Sequence, residues 1–188
     1  TITRNFQIVS AQNTPTPAPV SKTFKDAYNT YTVNKTGTSV TLKKPNSKVI
    51  ITATIPSSVK ANGKTYKVTA IAPNAFKNCR KLKQATISKN VSSIGSGAFQ
   101  GCSSLRTLKI GSKVSSIGAK AFYDCKALTS VTLQSKKLTS GSVGKSAFAK
   151  AGRNNYKKLM VKVPKSRLSA YKKLLKAKGL SSKTKVTK

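Results

Sequence analysis

Glutamate, histidine and tryptophan are absent from this 188-residue chain, and its acidic residues number two, Asp26 and Asp124. Each absence removes a class of chemistry. Without histidine there is no catalytic triad, no imidazole general base and no imidazole metal ligand. A paired-carboxylate mechanism would have to join Asp26 and Asp124, which lie in segments of different character. Three cysteines without histidine fall short of the four good ligands that a zinc site takes. The reading is of a chain that is not an enzyme and uses no cofactor or metal. Long apolar runs are missing too, since nothing approaches the roughly 18 to 20 residues needed to span a bilayer. No transmembrane segment is therefore expected. The opening stretch, Thr1 to Phe6, is too polar to precede a signal-peptide cleavage site. An exported protein with this start is expected to be already mature or a fragment.

What is present in excess is positive charge. The 37 lysines and arginines leave a net charge of +35, which repels itself in the folded state unless it is screened or meets a polyanion. Apolar residues make up 37% of the chain, and they recur with a period. Ala-Phe stands at 75–76, 98–99, 121–122 and 147–148, spaced by 23, 23 and 26 residues. Ile71, Ile94, Ile117 and Val143 precede each phenylalanine by five positions. Cys79, Cys102 and Cys125 follow by three, and Leu82, Leu105 and Leu128 by six. Ile87, Ile110 and Leu133 follow by eleven. A period in the twenties with fixed apolar offsets specifies a solenoid, because one unit cannot bury its own stripe and must share a core with its neighbours.

The predicted fold is a β-dominated, right-handed leucine-rich-repeat solenoid with repeats of ~23 residues. The segments Leu82–Ile87, Leu105–Ile110 and Leu128–Leu133 read as strands stacked about 4.8 Å apart in a parallel sheet. Val91–Ile94 and Val114–Ile117 read as a second short extended side of each coil. The Ala-Phe stretch is assigned a tight helical turn, with Phe76, Phe99, Phe122 and Phe148 plugging the interior. Gly95, Gly118 and Gly144 are assigned to corners for their conformational freedom.

The run from Val91 to Leu105 (VSSIGSGAFQGCSSL) and its counterparts resemble the BspA-like leucine-rich-repeat proteins of bacterial cell surfaces, over about residues 50–175. The closing stretch from Leu159 to Lys176 (LMVKVPKSRLSAYKKLLK) is similar to the ending of surface proteins in that family. The resemblance implies secretion, display on a bacterial surface and binding to host or matrix material. It implies no catalytic residue.

Around the repeats the chain divides into an N-terminal arm with a Pro-rich linker (1–22), a β cap (23–67), the repeats (68–152) and a C-terminal strand with a capping helix (153–188). In the arm, Ile2, Phe6 and Ile8 alternate as in a strand, and Gln12–Ser21 holds three prolines. In the cap, Tyr31–Val33, Val40–Leu42 and Val49–Ile55 read as β, and Asn62-Gly63 marks a hairpin. Leu159–Val163 reads as the last strand. Pro164 then opens a helix with Leu168, Tyr171, Leu174 and Leu175 on one face, stopped at Gly179.

The three cysteines lie one repeat apart and are read as small apolar filler. Gly144-Lys145-Ser146 matches the end of a phosphate-binding loop, but Thr139 stands where the first glycine is needed. The lysines carry the functional reading. From Lys150 to Lys188 there are 14 basic residues in 39 positions and no acid. Lys157, Lys158, Lys172, Lys173 and Lys176 are the candidate polyanion-binding residues. Lysine outnumbers arginine 32 to 5, so base reading is not expected, while non-specific nucleic-acid binding at low salt is. The expected function is an extracellular, non-enzymatic adhesion module, with acidic surface polymers or glycans, or host surface proteins, as partners. The alternative is a structural subunit of a surface fibre or coat, self-assembling through residues 1–22 by donating a strand to a neighbour's sheet edge.

Overall fold

The structure, a computed structural model, describes residues 23–188. The strand and Pro-rich linker expected in 1–22 lie outside the described residues. The chain begins with an antiparallel meander of β1 (Thr23–Lys25), β2 (Asn29–Val33) and β3 (Ser39–Pro45). β4 (Thr52–Ile55) is followed by the hairpin of β5 (Ser58–Ala61) and β6 (Lys64–Ile71). Asn62 and Gly63 turn that hairpin with φ of 49° and 73°, the pair of positive values that matches the twist of two antiparallel strands. The repeats then contribute β7 (Gln84–Ile87), β8 (Ser93–Ile94), β9 (Thr107–Ile110), β10 (Ser116–Ile117) and β11 (Ser130–Leu133). β12 (Met160–Lys162), helix α1 (Leu168–Ala177) and β13 (Lys185–Thr187) finish the chain.

Two sheets line the coil. One runs β4-β7-β9-β11-β12-β13 with every pairing parallel. The other joins the meander to β6, β8 and β10, with Val143 added by a parallel bridge to Ile117. The chain is thus a parallel-sheet β-solenoid with one C-terminal helix. The stretch 23–67 supplies both the antiparallel strands and the first strand of the parallel ladder.

The alternation of each ladder strand sends one column inward. Ala85, Ile87, Leu108, Ile110, Val131 and Leu133 are all buried. On the turn side, Phe76, Phe99, Phe122 and Phe148 stack through the coil axis. Their successive ring centroids lie 4.9, 5.4 and 5.3 Å apart, with interplanar angles of 3°, 13° and 21°. Such pairs add about 0.5–1.5 kcal/mol each beyond the area they bury. Leu82, Leu105 and Leu128 fill the space towards the ladder and are fully buried.

The Ala-Phe stretch is a run of tight turns and not the helical turn expected. Two positions per coil, two residues before and two after the phenylalanine, sit in the left-handed region. They are Asn74, Gly97, Lys120 and Ser146 on one side, and Asn78, Gly101, Asp124 and Lys150 on the other, with φ of 56–72°. A helix cannot form across such residues. Instead the amides between them reach the next coil. Phe76 donates to the Ala98 carbonyl, Phe99 to Ala121 and Phe122 to Ala147, at 2.7–2.8 Å. This ladder supplies the backbone bonds that a local helix would have made.

Three other expectations are corrected. Strand β4 starts at Thr52, so Val49 and Ile51 stand outside it and are exposed. Gly118 does not have a positive φ. A Cβ there would run into the backbone of Ser96 in the preceding coil, so close approach, and not a turn, excludes a side chain at this column. Leu159–Val163 is not the last strand, because β13 adds beside β12 in parallel.

Helix α1 closes the C-terminal end. Tyr171, Leu174 and Leu175 are buried beneath it, and the Tyr171 hydroxyl donates to the Ser135 carbonyl at 2.9 Å while accepting from the Leu138 amide at 3.1 Å.

Candidate polymer-binding surface

The outward columns of the parallel ladder follow from the same alternation that fills the core. One column reads Thr54, Thr86, Lys109, Thr132, Lys162 and Thr187 in register, and its neighbour reads Thr52, Gln84, Thr107, Ser130, Met160 and Lys185. Hydroxyls dominate, and Lys109, Lys162 and Lys185 are exposed among them. Lys109 and Lys162 stand two strands apart, about 10 Å at the usual strand spacing. At the C-terminal ends of β11 and β12, Lys136 and Lys162 line one groove of about 300 Å³ with Thr132, Gln134 and Pro164.

The sequence reading missed these lysines because it weighed local density of charge. The signal was there: Lys109 lies between Leu108 and Ile110, and Lys162 between Val161 and Val163, so inward neighbours force both outward. Of the five lysines singled out, Lys172, Lys173 and Lys176 share the exposed side of α1 opposite its buried residues. Lys157 and Lys158 are also exposed, on the segment leading into β12. The two sets stand on different elements.

Both acidic side chains are held within the fold. Asp26 Oδ1 accepts from the amides of Tyr28 and Asn29 at 2.8 and 2.6 Å, and its Oδ2 accepts from the Tyr31 hydroxyl at 3.0 Å. Asp124 Oδ1 pairs with Arg153 Nε at 2.7 Å. Among the described residues, no other lysine or arginine is paired with an aspartate. Lys120 and Lys150, from adjacent coils, both lie over the Tyr123 ring, at 5.9 and 5.2 Å from its centroid.

The cysteines are buried and unpaired, and two of them do more than fill space. The Cys102 thiol donates to the Phe76 carbonyl at 3.1 Å and the Cys125 thiol to Phe99 at 3.2 Å. Burial pushes the Cys102 thiol up to about 12 and raises those of Cys79 and Cys125 as well. Thiols so held stay protonated and weakly nucleophilic.

A sequence model of the BspA-type leucine-rich repeat region matches residues 69–175 in six copies. The chain belongs to the BspA-type leucine-rich-repeat family. A leucine-rich repeat protein from Bacteroides capillosus is 29% identical, the match covering 68% of this chain and 90% of that one with a TM-score of 0.57. The T. pallidum leucine-rich repeat protein shares the fold at 21% identity and a TM-score of 0.60, over 74% of this chain and 71% of its own. A third, from Bacteroides ovatus, is 24% identical with a TM-score of 0.56, and this chain matches 47% of its length against 75% of its own. No curated protein matches the chain. No helix among the described residues is long and apolar enough to cross a membrane.

Proposed function

We propose that this BspA-type protein is a non-enzymatic binding module of a bacterial cell surface that contacts acidic polymers through lysine. The observation that carries the reading is the outer face of the parallel ladder. It presents Lys109, Lys162 and Lys185 among aligned hydroxyls, on strands held rigid by the core beneath. Family membership supports the scaffold role. The two aspartates are each engaged by other groups of the chain, which leaves the ladder lysines free for an external anion.

Lysine suits a polymer better than a shaped small molecule, because its ammonium is a mobile point charge without a planar fork. Binding draws on release of the polymer's counter-ions, so affinity falls steeply with salt. The test is heparin or teichoic acid titrated from low to above-physiological salt. The intact protein should bind tightly at low salt and lose affinity steeply. Replacing Lys109, Lys162 and Lys185 together by glutamine should flatten the salt slope by about one to three units. The same change at Lys157, Lys158, Lys172, Lys173 and Lys176 should weaken binding further. Binding indifferent to salt would point to a shaped site, and no binding at low salt would remove the polymer as a partner.

A further inference from the structure

Tyrosine occurs six times in the chain, and five of the rings are buried or half-buried. Tyr28 is 77% exposed. The turn that carries it is nonetheless fixed from both sides. Its amide donates to Asp26 Oδ1 at 2.8 Å, and its carbonyl accepts from the Asn46 amide at 2.8 Å. Asn46 is locked in turn, donating through Nδ2 to the Asp26 carbonyl and accepting from the Thr30 hydroxyl, both at 2.9 Å. A tyrosine displayed from a rigid backbone offers a large flat contact at little cost in conformational freedom.

Two grooves, of about 480 and 410 Å³, share Tyr28, Asn29 and Thr54 in their walls. The larger also takes in Asn46, Ser47 and Thr52 and, among the described residues that line it, no charged side chain. In a chain with 37 basic residues, this patch is therefore not built for an anion. Hydroxyls and amides beside an aromatic face suit a neutral ring that bears hydroxyls. Ser47 Oγ accepts from the Val49 amide at 3.1 Å, which leaves its proton to donate. The groove also opens the ladder face, because Thr52 and Thr54 head the two outward columns. Thr54 lies in register with Lys109 two strands on and with Lys162 four strands on. At the usual spacing those positions stand about 10 and 20 Å along the column.

Resting on the acidic-polymer reading above, we propose that the polymer is a glycan, one of whose sugar rings stacks on Tyr28 while its acidic groups meet Lys109 and Lys162. The C–H face of a sugar ring carries slight positive charge and meets the negative face of the aromatic ring. Its hydroxyls, each both donor and acceptor, match the side chains of Asn46, Ser47, Thr52 and Thr54. A phosphate polymer without rings has nothing to place here. Single-stranded nucleic acid stacks successive bases on several aromatic side chains, and among the described aromatic residues Tyr28 alone is exposed.

The test measures affinity for heparin, polyphosphate and oligothymidylate over a salt series, with the full chain and with Tyr28→Ala. Heparin affinity should fall about fivefold at every salt concentration. The salt slope should stay the same, because stacking releases no counter-ions. Polyphosphate affinity should not change, and Tyr28→Phe should restore heparin binding. Both variants should melt with the parent chain, since the ring is exposed. No loss for heparin, or an equal loss for polyphosphate, would overturn the glycan and leave the lysine reading standing. A loss confined to oligothymidylate would assign the ring to nucleobases and overturn it too. No binding of any of the three polymers would remove both readings.

Discussion

The amide of Phe148 donates to the carbonyl oxygen of Lys178 at 3.0 Å. Phe76, Phe99 and Phe122 make the equivalent bond to an alanine of the following coil. The end of α1 thus stands where a further coil would, and the helix terminates the ladder by imitating its next rung. Gly179 completes the fit, with φ of 98° and a Cβ position only 2.8 Å from Ala149 Cα.

Gly179→Ala should therefore lower stability by about 1–3 kcal/mol, since it adds backbone strain to a steric clash. The loss should appear in chemical denaturation. A neutral result would mean that the helix end is free to shift away from Phe148.

Phe99→Ala removes a ring stacked on both sides. The cost should be about 3–5 kcal/mol, the range for a truncated buried aromatic, and larger than for Phe148→Ala, whose ring stacks on one phenylalanine among the described residues. Thermal melts of the two variants give the order, and a loss below about 1 kcal/mol at Phe99 would contradict the packed stack.

Gly118→Ala should be more damaging than Gly101→Asn. At Gly118 a Cβ meets the rigid backbone of the preceding coil, while at Gly101 it meets the movable side chain of Asn78. The left-handed φ at 101 is one that Asn78 itself adopts in the coil before. Equal melting temperatures for the two variants would remove close approach as the reason for the column.

The Cys102 thiol gives a pH signature. Its pKa is raised from the ordinary value of 9.0 to about 12, so above pH 9 the unfolded chain loses this proton while the folded chain keeps it. Fewer protons bound in the unfolded state mean that stability falls as pH rises. The thiol's contribution is intact below pH 9 and shrinks from there towards 12. The cost of Cys102→Ala should accordingly be smaller at pH 10 than at pH 7 by about 1 kcal/mol. Urea titrations at the two pH values measure it, and a cost independent of pH would place the thiol in contact with water.

The sequence by itself determined the solenoid. Phe99, Cys102, Leu105 and Ile110 recur at fixed offsets in successive units, and such a stripe has nowhere to be buried except against the next copy of itself. The hairpin at Asn62-Gly63 and the helix after Pro164 were equally legible, since each rests on local backbone preference. Tertiary structure decided the rest. Strand β13 has one buried apolar residue, Val186, and exists because the open edge of β12 is there to pair with. Lys120, Ser146 and Lys150 take left-handed conformations that their residue types disfavour, because inter-coil hydrogen bonds from their neighbours hold the turn. Lys109, Lys162 and Lys185 lie far apart in the chain, and only parallel pairing places them on one face. Periodic burial is a property of one unit and can be read from it. Which edges meet, and which charges then align, depends on contacts between residues 23 or more positions apart.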